Sequence, residues 1–254
     1  MTMRVVVSMT TIPARVEMLR PTLESIIAQT RKPDRFVLVM PLRCAKTGEN
    51  YDEPEWLDEL VEIMRCSMDW GPATKLIPVL SQEDDPDTRI ITVDDDVVYE
   101  RHTVEELAYW SEKMPDAVLG FMGVRGKTFI HAEQVIAPPV DVDGVGGYRG
   151  VCYRRGLFDE DVFGMMSELM DEGPFLLDDQ FWTMYQNLKG TPRFVVPTSH
   201  GGLEGINVVL RRLPDAIHYT TDGQKGVDPD PYLARLREMS ERMRASETAE
   251  TDDA

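Results

Sequence analysis

Two strand-like runs rich in apolar and β-branched residues, RVVVSM at 4–9 and RFVLVMP at 35–41, flank the amphipathic stretch PTLESIIAQT, and no other feature constrains the fold of this 254-residue chain as much. Strands that are apolar at every position are covered on both faces. Parallel neighbours need a crossover of a dozen or more residues, usually a helix. The intervening stretch suits one, with Leu23, Ile26 and Ile27 on one face and Pro21 in the first turn. The opening is therefore a β-α-β unit.

The alternation continues. PEWLDELVEIM, 54–64, keeps helical spacing through Trp56, Leu57, Leu60, Val61 and Met64, and RIITV supplies another buried strand. Thr103, with Glu106 three residues on, predicts a capping box that starts the next helix. Strands are expected at AVLGFM, KTFIHA, GVGGYRGVCYRR and RFVVP, and helices at DVFGMMSELM, LDDQFWTMYQNL and PYLARLREMSERM. In the last helix Leu233, Leu236, Met239 and Met243 turn inward. SHGGLEGIN reads as a loop. With no internal repeat and no Pro/Ser-rich linker, the reading is one α/β domain over 1–245, with a mostly parallel sheet flanked by helices. The small, acidic segment 246–254 is expected to be a disordered tail.

A net charge of −18 disfavours duplex nucleic acid and anionic membranes, both of which need a basic footprint. Cys44, Cys66 and Cys152 are scattered and odd in number, which suits buried thiols in a reducing compartment. The apolar run at the N-terminus is too short for a secretory or membrane-spanning segment, so a cytoplasmic location is expected.

The strand RIITV runs straight into Asp94, Asp95 and Asp96. In an open α/β sheet the ligand crevice lies beyond the carboxyl ends of the strands. Alternation along an extended backbone points Asp94 and Asp96 one way and Asp95 the other. Two hard oxygen donors on one side suit Mg²⁺ or Mn²⁺, with substrate phosphates completing the shell. A solvated acidic turn or a capping cluster would have the same sequence. An EF-hand fits poorly because Val98 stands where a third oxygen ligand is needed. In GFMGVRGKT the spacing of Gly120 to Gly126 is one residue too long for a P-loop, and GVGGYRG carries Arg149 where the dinucleotide fingerprint has its third glycine.

VVSMTTIPARVEMLRPTLESIIAQTRKPDRFVLVMP, DWGPATKLIPVL, RIITVDDDVVY, GGYRGVCYRR and LLDDQFWTMYQNLKGTPRFVVP resemble, in that order, small GT-A-fold glycosyltransferases of the family-2-like kind, over roughly 4–200. The resemblance implies a nucleotide-binding half over about 1–100 and an acceptor half over about 101–245. It also implies a nucleoside-diphosphate sugar donor, a UDP-sugar foremost, a divalent ion and a hydroxyl acceptor such as a glycan. Carried onto this chain, it places Thr11, Pro13, Arg15 and Lys75 at the nucleotide or diphosphate. It sets Asp94 at ribose or ion, Asp95 at ribose or backbone, and Asp96 on the ion. Asp179, or its neighbour Asp178, would be the general base of an inverting transfer. Either aspartate would equally serve at a helix start as a cap. His218 is a candidate third metal ligand, His200 a weaker one, and Tyr148 a candidate stacking surface for the acceptor. Two other classes compete: a nucleotidyltransferase, although SMTTIPAR lacks the glycine-rich loop it needs, and a non-catalytic Ca²⁺-binding module.

Overall fold

The computed structural model describes residues 3–132, 135, 137–171, 176–198 and 230–252, with backbone alone at 230–232 and 246–252. The chain opens with β1 (Val5–Thr10), α1 (Arg20–Ile27) and β2 (Arg35–Pro41), then α2 (Leu57–Leu60) and β3 (Glu62–Cys66). After α3 (Ile77–Gln82) come β4 (Arg89–Thr92), α4 (Thr103–Lys113) and β5 (Val118–Gly120). Next are β6 (Met122–Arg125), β7 (Thr128–His131), β8 (Val140–Asp141), β9 (Gly144–Val145) and β10 (Val151–Arg154). Last come α5 (Asp161–Asp171), α6 (Asp178–Leu188), β11 (Arg193–Val195) and α7 (Asp230–Asp252).

Among the described residues, eight strands form the central sheet in the order β3-β2-β1-β4-β10-β5-β11-β8, and β7-β6-β9 form a second, smaller sheet. β1 pairs in parallel with both β2 and β4, β2 with β3, and β5 with β11; β10 runs against both of its neighbours. The expected mixed α/β architecture, with a mostly parallel central sheet flanked by helices, is therefore present. β1 lies deepest, with Val5, Val6, Val7 and Met9 fully buried, as the continuous apolar run requires. Leu23 and Ile26 of α1 pack into the core, whereas Ile27 is 40% exposed and does not share their face. Cys44 and Cys152 are buried and Cys66 is half-buried, all as free thiols. Among the described residues no helix is long and apolar enough to cross a membrane.

Three local expectations differ from what forms. The helix expected over 54–64 ends at Leu60, because Val61 turns extended and Glu62–Cys66 pairs in parallel with β2 as an edge strand. Leu57, Val61 and Met64 are buried in either conformation, so their spacing could not separate the two. The capping box does not form either: Thr103 is already the first residue of α4, and its buried hydroxyl has no hydrogen-bond partner among the described residues. Gln29, just after α1, instead accepts from the Val104 N–H at 2.9 Å, and Glu106 accepts from Thr198 at 3.1 Å. Finally, α7 runs to Asp252 and so carries 246–252, placed above in the tail, in helical form. Its Ala and Glu residues are good helix formers.

Candidate active site

The carboxyl ends of β1 and β4 point into one cavity of about 740 Å³. Three loops build its charged side. The turn after β1, Pro13–Met18, delivers Arg15; the turn Gly71–Lys75 delivers Lys75; the segment after β4 carries the three aspartates. The Gly71–Lys75 turn is anchored rather than loose. Asp69 accepts from the Gly71 N–H at 2.8 Å and from the Thr74 hydroxyl at 3.2 Å, and Ser8 of β1 donates to the Lys75 carbonyl at 2.5 Å.

Alternating burial continues through the triplet: Asp95, Val97 and Tyr99 are buried, Asp94, Asp96 and Val98 half-buried. Asp95 is held from two sides. The Thr11 hydroxyl donates at 2.6 Å and Arg15 Nη1 at 2.6 Å, while burial pushes its carboxyl up against the opposing pull of Arg15. Arg15 reaches Asp96 only at 3.6 Å. Burial first, then the charges of Asp94 and Asp95, raise Asp96 to about 6. Asp94 accepts from Lys75 Nζ at 2.8 Å, and its backbone N–H donates to the buried Tyr99 hydroxyl at 2.7 Å. That hydroxyl in turn donates to the Tyr148 carbonyl at 3.2 Å.

The opposite wall comes from the start of α6. Asp178 Oδ2 lies 3.1 Å from Lys75 Nζ, so one buried ammonium joins the two walls. Asp179 Oδ2 accepts from the Gly147 N–H at 3.1 Å. Burial, followed by the neighbouring charge of Asp178, raises Asp179 to about 7, with Lys75 opposing. Neither aspartate caps α6, so the capping reading of the pair does not hold. A Cβ at Gly147 would sit 3.0 Å from Asp179 Oδ1, so a side chain at this position would press on the carboxylate.

Thr11, Arg15, Lys75, Asp94, Asp95, Asp96, Asp178 and Asp179 are thus brought together around one cavity. Pro13 is not: it stands outside the cavity wall and starts the turn that carries Arg15. Arg15, expected at phosphate, is committed to Asp95. His218 and His200 lie outside the described residues. Tyr148 lines the cavity, with Arg149 over its ring at 5.3 Å. Gly144 and Gly146 in the cavity wall allow close packing. Their added Cβ atoms would fall 2.8 Å from Thr183 Oγ1 and 2.2 Å from Met122 Cε. Sequence reasoning missed Tyr99, Gly147 as the partner of Asp179, and Asp69. Of these only Asp69 left a signal, as an Asp two residues before a turn glycine.

Two consequences are measurable. Arg15→Met leaves Asp95 buried without its counterion and is expected to lower stability by about 3 kcal/mol or more, read by urea unfolding. The raised carboxyls set a pH slope. Between about 4, the ordinary Asp value, and about 7, folded Asp96 and Asp179 keep protons that the unfolded chain has released. The unfolded state then binds fewer protons, so stability falls as pH rises through that window. Without divalent metal, the midpoint of thermal unfolding should drop from about pH 5 to about pH 7.5, and Asp179→Asn should flatten the slope.

The order of strands, the covering helices and a crevice at the carboxyl ends of β1 and β4 make a mixed α/β fold built on a mostly parallel central sheet. The chain is similar to S. aureus TarS, a glycosyltransferase, in a crystal structure of its residues 1–349. The TM-score is 0.52 with 18% identity, over 76% of this chain and 58% of that one. A second TarS crystal structure gives 0.49 and 17%, over 77% and 35%. The likeness is one of fold, and this chain spans 58% of the length of the first TarS chain. No family model matches the chain, and no curated protein matches it by sequence.

Proposed function

We propose that the protein is a metal-dependent, inverting glycosyltransferase that moves a sugar from a nucleoside-diphosphate sugar, a UDP-sugar foremost, to a hydroxyl acceptor. One observation carries this reading. Half-buried Asp94 and Asp96 face, across a single cavity, a carboxylate whose proton affinity is set near neutrality and whose position is held by a backbone N–H.

The donor set fits a divalent ion of the Mg²⁺ or Mn²⁺ kind. Asp94, Asp95, Asp96, Asp178 and Asp179 have only Arg15 and Lys75 as ion-pair partners among the described residues, so negative charge is in surplus. No group of three His, Cys, Asp or Glu side chains there makes a closed metal site. That suits an ion taking one or two carboxylates, Asp96 and Asp94, and the rest of its shell from diphosphate and water. Such an ion would supply Lewis-acid stabilisation to the departing diphosphate.

The remaining work falls to the chain's own groups. Lys75 fixes Asp94 and Asp178 relative to each other, and Arg15 with Thr11 fixes Asp95 beneath them. Asp179 accepts the acceptor hydroxyl's proton as that oxygen bonds to the anomeric carbon and the bond to the diphosphate breaks on the opposite face. The test is a thermal-shift and hydrolysis screen of UDP- and other nucleotide sugars with and without Mn²⁺. Stabilisation by a nucleotide sugar that requires Mn²⁺ is the expected result. No binding and no turnover with any donor would end the proposal.

A further inference from the structure

Phe129 is 62% exposed, and a lone exposed aromatic would need no explanation. Its surroundings make it different. Phe129 is the direct cross-strand partner of Val124 on the β6–β7 hairpin, and Met122 lies two residues before Val124, so all three side chains share one face. That face lines the same cavity as Asp178 and Asp179 and gives it an apolar wall beside the carboxylates. Met122 is held in place, because its Cε fills the space a side chain at Gly146 would need. Charge on this wall is equally informative. Of the lining cations, Arg15 and Lys75 are committed to aspartates, and Lys46 comes from the loop after β2 rather than from the hairpin.

We infer that the Met122–Val124–Phe129 face is the acceptor platform and takes an uncharged sugar ring, whose apolar face stacks on Phe129 while one hydroxyl reaches Asp179. A ring with one apolar face and several hydroxyls matches an aromatic wall that ends in carboxylates. An anionic acceptor would enter a cavity with surplus negative charge, and the hairpin residues that line it, Met122, Val124 and Phe129, are uncharged. This inference rests on the transferase reading above and names the acceptor class for that site.

The experiment is saturation-transfer NMR on the full chain with UDP and Mg²⁺. The probes are methyl hexopyranosides, p-nitrophenyl hexopyranosides and hexose phosphates, and UDP affinity is measured on the same samples. Expected are ring-proton contacts from at least one methyl hexopyranoside and weaker binding of the hexose phosphates. In Phe129→Ser the glycoside affinity should fall about 5- to 10-fold with UDP affinity held, and Phe129→Tyr should restore it. Several results overturn the platform while UDP still binds: no methyl glycoside engaging, hexose phosphates binding as tightly, binding confined to the p-nitrophenyl compounds, or no effect of Phe129→Ser. Failure of UDP itself to bind removes the donor site on which the platform rests.

Discussion

Asp179→Asn is expected to lower sugar transfer about 100-fold or more, the scale of a lost general base, while leaving UDP affinity within about twofold of the wild type. Asparagine has the same shape and its amide oxygen can still accept from the Gly147 N–H, now 3.1 Å from Asp179, so the start of α6 keeps its place. What disappears is the ability to take a proton. Asp178 cannot substitute, because its carboxylate is buried against Lys75 at 3.1 Å and serves as that ammonium's counterion. The wild-type rate should rise with pH and level off above about 7, since the base acts only when ionised and burial beside Asp178 holds it at about that value. In the asparagine variant the rising limb should be gone. A steady-state pH profile of both proteins checks each part. Wild-type rates in the variant would remove Asp179 from the chemistry and direct attention to Asp178.

How much of this was legible beforehand depended on whether the deciding partner was near in the chain. β1, β2 and β4 were readable because most of their residues are apolar or β-branched, the pattern of strands covered on both faces. β3 was not, since Leu57, Val61 and Met64 satisfy helical spacing and also fill the core when the chain straightens after Leu60. Backbone pairing with β2 decided between them, and pairing leaves no periodicity. The start of α4 shows the same limit. A capping box was written in Thr103 and Glu106, but Gln29, far away in sequence, took over the helix N-terminus.

The site follows the same rule. A buried strand breaking into three aspartates marked the cavity, and alternation correctly separated half-buried Asp94 and Asp96 from buried Asp95. Which cation answers which carboxylate could not be read, because the pairs join distant segments: Arg15 with Asp95, and Lys75 with both Asp94 and Asp178. The arginine expected at phosphate is ion-paired with Asp95, and Pro13 opens the turn that carries it. Tyr99 had no signal at all, since its role depends on a backbone N–H five residues earlier and a carbonyl at Tyr148.

Asp96→Ala is expected to abolish metal-dependent donor binding without unfolding the protein. Within the triplet, Asp96 is the member whose charge the protein leaves least answered. Arg15 lies 2.6 Å from Asp95 but 3.6 Å from Asp96, and Lys75 serves Asp94 at 2.8 Å. Buried partway in the cavity wall, beside two other carboxylates and with a distant counterion, Asp96 is raised to about 6, and a divalent ion would bring it back to the ionised form. Removing it should cut UDP affinity in Mn²⁺ by about 100-fold, close to the metal-free value, as loss of one of two protein ligands implies. The same change at Asp95 would instead strand a buried Arg15 and strip Thr11 of its acceptor, so Asp95→Ala should fail in folding rather than in metal dependence. Calorimetry of UDP binding with and without Mn²⁺, beside urea unfolding of both variants, separates the two roles. An Asp96→Ala protein that keeps its Mn²⁺ dependence would show that the ion sits elsewhere, whereas equal destabilisation by both changes would mean that Asp96, like Asp95, belongs to the scaffold.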